Sequence, residues 1–218
     1  MYLISTMNKI FFYFFIFNII FLDLMALENF SSSVIENIKQ KYGEKSYNTL
    51  VAWDNMIIKA KNEKTIMKLK LVNDFFNNVK YMIDIEHWKV LDYWATPMEF
   101  LGTRNGDCED YAIAKYFALI QVGIPKEKLR ISYVKLLNKR TQYEEAHMVL
   151  AYFNQPNSIP IILDNINQQL ELASKRDDLK LIYSFNADGL WDAKNIGKEE
   201  KKENENNLYQ WKTMMSKF

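Results

Sequence analysis

Cys108, His147 and Asp164 are the residues whose types and spacing could do covalent chemistry. Cys108 is the single cysteine of 218 residues. It follows Asn105-Gly106-Asp107 and opens a segment whose apolar residues recur at helical spacing. A thiol at a helix N-terminus lies near unpaired backbone N–H groups and the positive end of the helix dipole, which favours the thiolate nucleophile. The competing reading is a small buried hydrophobe, the usual place of an isolated cysteine. His147 stands in an otherwise apolar run, Ala146-His147-Met148-Val149-Leu150, either as a packed core histidine or as a general base. If the loop Asn154-Gln155-Pro156-Asn157 closes a hairpin that pairs Phe153 with Ser158, Asp164 falls directly opposite His147. Such pairs have Cβ atoms about 4.5–5.5 Å apart, near enough for a carboxylate to hold the imidazole Nδ1–H. The set suits acyl transfer, with Cys108 as nucleophile, His147 as base and Asp164 as orienting acid.

Asp107, Glu109 and Asp110 surround the thiol. Carboxylates this close repel one another and oppose a thiolate unless something neutralises them. A hard cation would do so, and carboxylate oxygens suit Ca²⁺. Acidic residues in a first helical turn are equally well explained as caps that the helix dipole stabilises without metal. The spacing is not that of an EF-hand loop, and both readings stand at this point.

The elements that must position these groups follow from periodicity. Ser31-Ser32-Ser33, then Val34, Ile35 and Ile38, then Gly43 give cap, apolar face and stop of a short helix. Tyr47–Lys61 and Thr65–Lys80 read as two antiparallel helices, the second with Ile66, Leu69, Val72, Phe76 and Val79 along one stripe. Trp88 to Gly106 is aromatic without clear period and reads as an ordered loop. The helix from about Cys108 is apolar nearly all round, which makes it the buried central helix, and Gly123 and Pro125 end it. The period then changes to two, with strands at Leu129–Leu137, Ala146–Phe153, Ile159–Leu163 and Leu179–Phe185. Helices first and an antiparallel sheet second argue for an α+β domain with helices on one face.

Composition bounds the rest. Apolar residues make up 49%, so a real core can form, while Lys+Arg 28 against Asp+Glu 27 leave a net charge of +1. A protein that neutralises nucleic-acid phosphates would show a basic excess, so no nucleic-acid partner is expected. One Cys excludes an internal disulfide and a cysteine-rich zinc site. Lys9 followed by the uncharged run from Ile10 to Leu22 and by Ala26 reads as a secretory signal peptide over residues 1–26, with Met7 an alternative start. The run is shorter than the roughly 20 residues a spanning helix needs. The expected organisation is a signal peptide 1–26, one catalytic domain 27–193, and 194–218 as a polar linker with a C-terminal amphipathic helix.

These residues also carry a family resemblance: Trp94-Ala95-Thr96-Pro97, Gly106-Asp107-Cys108-Glu109-Asp110-Tyr111-Ala112-Ile113-Ala114-Lys115-Tyr116, Ala146-His147-Met148-Val149-Leu150, Leu163-Asp164-Asn165 and Tyr183-Ser184-Phe185-Asn186. Over roughly residues 45 to 190 the chain resembles the bacterial transglutaminase-like cysteine proteinases of the LapG type. The resemblance implies a papain-like α+β fold, a Cys108-His147-Asp164 triad and a calcium site at Asp107, Glu109 and Asp110. It further implies a periplasmic enzyme that cuts an Ala-Ala bond in the amino-terminal retention module of a large surface adhesin and disperses biofilm. An inner-membrane cyclic di-GMP receptor of the LapD type would sequester it. Amine transfer by the same triad, as in a transglutaminase, and a non-catalytic binding module are the alternatives. Trp94 is expected near the site, with no role assigned.

Overall fold

Gly43 divides the first helical stretch in two. Its φ of 85° lies where glycine is favoured, so α1 (Ser32–Tyr42) ends there and α2 (Glu44–Lys61) begins. The computed structural model describes residues 32–192 and 209–218. The expected signal peptide and the polar linker lie outside these residues. After Asn62-Glu63-Lys64, α3 (Thr65–Asn77) packs against α2. Leu69, Val72 and Phe76 of the expected stripe are buried, whereas Ile66 is exposed and Val79 falls beyond the helix end.

Residues 80–106, of which 88–106 read as an ordered loop, hold more structure than the sequence periodicity suggests. A short strand β1 (Lys80–Tyr81) runs parallel to β2 (Asn105–Gly106), and α4 (Asp84–His87) and α5 (Pro97–Thr103) lie between them. α5 is too short to display a period, but its start is written in Thr96-Pro97-Met98-Glu99. The Glu99 N–H donates to Thr96 Oγ1 (3.2 Å) and the Thr96 N–H donates to Glu99 Oε2 (2.9 Å), a capping box with proline at the first helical position. Arg104, in the left-handed region at φ 60°, ends the helix.

The central helix α6 (Cys108–Gln121) lies on an antiparallel sheet of β3 (Leu129–Asn138), β4 (Tyr143–Tyr152), β5 (Ile161–Leu163), β6 (Glu171–Leu172), β7 (Leu179–Asn186) and β8 (Gly189–Asp192), in the order β6-β5-β4-β3-β7-β8. This is the expected α+β arrangement, with two further short strands, β6 and β8, that alternation over so few residues does not reveal. Ile113, Tyr116 and Leu119 of the helix form one core with Ile131, Met148, Leu150 and Phe185 of the sheet, while Val134, Val149, Ala151 and Ile162 pack on the opposite face. The last helix, α7 (Tyr209–Met215), joins the main core through Trp211, which stacks on Phe117 at 5.9 Å and meets Tyr116 and Phe185 edge-on.

The β4–β5 register differs from the expectation. Leu150 pairs with Leu163, where the short hairpin would pair it with Ile161, a slip of two residues. The connection is longer because Pro160 has no N–H for the ladder and Ser158 closes its own turn on Gln155.

The capping box makes a stability prediction. Thr96→Ala is expected to lower the unfolding free energy by about 1 kcal/mol, read as an earlier urea midpoint with unchanged slope.

Candidate active site

Cys108 is the first residue of α6, placed by Gly106 and Asp107 before it. Gly106 is required by close approach: a Cβ there would lie within 2.6 Å of the Phe100 ring and would also strike Asp110. The thiol, partly buried, donates to Glu109 Oε2 at 3.1 Å, and the main-chain N–H of Met148 on β4 is directed at the sulfur. Burial first, then the negative charges of Glu109 and Asp107, push the thiol pKa well up. The helix dipole alone therefore does not make this a thiolate, and the conflict expected from the flanking carboxylates is present.

His147 and Asp164 meet. Nε2 of the imidazole lies 2.9 Å from Asp164 Oδ1, and both side chains are almost wholly buried. The sequence expectation put Nδ1 on the carboxylate; the ring presents Nε2 instead. The pair survives the two-residue slip because side chains alternate with period two, so Asp164 stays on the face of His147 and approaches it diagonally. α3 fixes the segment that carries Asp164: Asn77 Nδ2 donates to the Asp164 main-chain oxygen (2.9 Å) and Asn73 Nδ2 to that of Gln168 (2.8 Å).

Arg176, which the sequence reading did not single out, completes this arrangement. Its Nη2 donates to Asp164 Oδ2 (2.8 Å) and to Asp178 Oδ2 (2.8 Å), and its Nε donates to Asp178 Oδ1 (2.9 Å). The Ile166 N–H donates to Asp164 Oδ1 (2.9 Å). Burial pushes the Asp164 pKa up, but His147, the Ile166 N–H and Arg176 outweigh it and hold it at about 2. Arg176 lies beyond a two-residue strand and a 3-10 turn, and no spacing rule ties it to residue 164.

The acidic residues divide into two groups. Oxygens of Asp84, Asp107 and Asp110 lie within 4.8 Å of one another, as do those of Asp84, Asp92 and Glu109. Asp107, Glu109 and Asp110 were expected; Asp84 and Asp92 come from the segment around α4 and the loop after it, and nothing in their spacing announces them. Asp110 is also a tie: Oδ1 accepts the Ala95 N–H (2.8 Å) and Oδ2 the Asp107 N–H (3.3 Å). Burial, then neighbouring carboxylates, push the pKa values of Asp107 and Asp110 upward. Asp84 Oδ1 and Asp107 Oδ1 are buried with no hydrogen-bond partner. Orphaned hard oxygens on a crowded cluster are a fit for a divalent cation of the Ca²⁺ type. Trp94 sits beside this loop as a packing residue, stacked on Phe185 at 5.6 Å with its Nε1 donating to Asp92.

The sequence of residues 40–183 matches the family described as bacterial transglutaminase-like cysteine proteinase BTLCP. The chain belongs to this family. Calcium-bound LapG of Legionella pneumophila is similar at 39% identity, over 86% of this chain and 99% of that one, with a TM-score of 0.71. EGTA-treated LapG of the same organism is similar at 38% identity, over 86% and 97%, with a TM-score of 0.73. No curated protein matches. The chain is thus a cysteine proteinase of the LapG type, with the family's transglutaminase-like fold.

In this LapG-type proteinase the Asp164 network links stability to pH. A carboxyl held at about 2 when folded, against about 3.9 when unfolded, stabilises fully above pH 4 and loses that contribution as pH falls toward 2. Urea titrations across this window should show the loss, and Asp164→Asn should flatten it. Arg176→Met leaves a buried carboxylate without its cation and is expected to cost about 3–5 kcal/mol. In the Asp164→Asn background the same change should cost much less.

Proposed function

We propose that the chain is a calcium-dependent periplasmic cysteine endopeptidase that cuts an exposed Ala-Ala bond in the amino-terminal retention module of a large surface adhesin, releasing the adhesin and so controlling biofilm attachment. The observation that carries this reading is the 2.9 Å contact of His147 Nε2 with Asp164, next to the strand position whose N–H addresses the Cys108 sulfur. With Nε2 engaged, Nδ1 is the nitrogen for the thiol proton. Cys108 Sγ attacks the scissile carbonyl carbon as its proton passes to His147, and His147 then protonates the departing amine. Water, deprotonated by His147, next attacks the acyl-cysteine and regenerates the thiol. Asp164, kept anionic by Arg176, orients the ring and stabilises the imidazolium. The unpaired N–H groups at the start of α6 favour negative charge developing on the carbonyl oxygen.

Asp84, Asp107 and Asp110 would hold the ion, with Glu109 and Asp92 beside them, and water and main-chain oxygens would complete a shell of about 6–8 ligands. When bound, Ca²⁺ supplies the positive charge that offsets these carboxylates and lowers the cost of a thiolate among them. The calcium-bound relative supports this assignment. Membership of the LapG type likewise supports regulation by an inner-membrane cyclic di-GMP receptor of the LapD type, which would sequester the protease.

The test is incubation with an adhesin amino-terminal fragment, with and without a labelled amine. Two fragments split at Ala-Ala are expected, and Cys108→Ala or EGTA should abolish them, with calcium readdition restoring the second case. Asp84→Asn should lose cleavage and calcium binding together, as read by calorimetry. Label in the product would point to amine transfer, and full cleavage by Cys108→Ala would refute the nucleophile.

A further inference from the structure

The open edge of β4 leads to the nucleophile. β4 pairs with β3 along its whole length, from Tyr143 to Tyr152, but with β5 only from Leu150 to Tyr152. Main-chain groups along an antiparallel strand turn alternately to its two neighbours. The Phe153 N–H donates to Lys128 on the β3 side (2.8 Å), so the odd-numbered residues of β4 face β3 and the even-numbered ones face the other edge. Leu150 and Tyr152 spend theirs on β5, and the Met148 N–H is directed at the Cys108 sulfur. The next two outward positions, Ala146 and Glu144, adjoin no strand among the described residues.

Side chains leave this edge accessible. Ala146 is exposed and small, and Glu144 is drawn to Lys135 on the neighbouring strand by an ion pair of 2.7 Å. Tyr81, half-exposed on β1 beside Gly106, has its hydroxyl pKa raised first by burial and then by the charges of Cys108, Asp107, Glu109 and, from β4, Glu145. Charged residues on an edge strand also discourage aggregation. That role alone would not place the unpaired main chain in line with the sulfur.

We infer that the polypeptide substrate binds as an added β-strand along the Glu144–Ala146 edge of β4, its main chain pairing with Ala146 and Glu144 and its scissile carbonyl carried to Cys108. This rests on the proposed nucleophile. Recognition through main-chain hydrogen bonds demands an extended, unfolded segment and tolerates varied side chains, with alternate residues facing the enzyme.

The experiment uses the full chain with calcium present and two Cys108 alkylating probes: iodoacetamide, too short to reach the edge, and a tetrapeptidyl chloromethyl ketone ending in alanine. The ratio of their rates isolates peptide recognition. Ala146→Pro deletes one edge N–H at a position where the β3 ladder does not need it, and is expected to lower the ratio about tenfold. With the wild-type chain, N-methylation of the peptidyl probe should slow it at alternate amides. An unchanged ratio in a folded Ala146→Pro protein overturns the inference, as does equal tolerance of N-methylation at every amide. If the proline variant does not fold, the N-methyl series decides alone. A Cys108 inert to iodoacetamide would overturn the nucleophile assignment and this inference with it, whereas a reactive Cys108 with no peptide preference would overturn the strand alone.

Discussion

Negative charge crowded beneath the thiol is the constraint around which the site is arranged. Asp84, Asp107 and Asp110 bring their oxygens within 4.8 Å of one another, in a place where burial already disfavours charge. Asp110 cannot simply be removed, because it accepts the N–H groups of Ala95 and Asp107 and so ties the loop before α5 to the start of α6. Gly106 must lack a side chain to admit that carboxylate and the Phe100 ring. The same packing that sets Cys108 in place therefore pushes its thiol pKa up, and the thiol donates to Glu109. The proposed cation would offset both at once, since structural and electrostatic demands fall on the same side chains.

The His147–Asp164 pair is built by the opposite device. Asp164 is surrounded by donors, from His147, Ile166 and Arg176, and remains an acceptor-only carboxylate at any ordinary pH. A buried carboxylate between an imidazole and a guanidinium is kept ionised without being exposed. α3 anchors the chain on which it sits through Asn73 and Asn77. The thiol thus comes from the helix layer and the His147–Asp164 pair from the sheet and the segment that follows β5.

Much of this was legible in the sequence because it depends on period and local chemistry. The apolar all-round pattern after Cys108 marks the central helix, and the switch from helical to alternating period marks the sheet. The pairing of His147 with Asp164 holds although the loop is longer than the hairpin expectation, because a slip of two residues conserves the face. What the sequence does not show depends on tertiary closure. Arg176, Asp84 and Asp92 reach the site from segments too short to show a period, and sequence separation carries no hint of their meeting. α5 is a different case, since Thr96-Pro97-Met98-Glu99 states its start plainly even though seven residues cannot display a helical stripe.

In the proposed function the acidic cluster holds Cys108 in the thiol form until a divalent cation compensates it. The direct measurement is the rate of Cys108 alkylation by iodoacetamide at a fixed neutral pH, with the wild-type chain, in calcium and then in EGTA. Markedly faster alkylation is expected with calcium, because the thiolate is the reacting form, as is loss of that acceleration in Asp84→Asn. Equal rates in calcium and EGTA, with calcium binding verified by calorimetry, would contradict it.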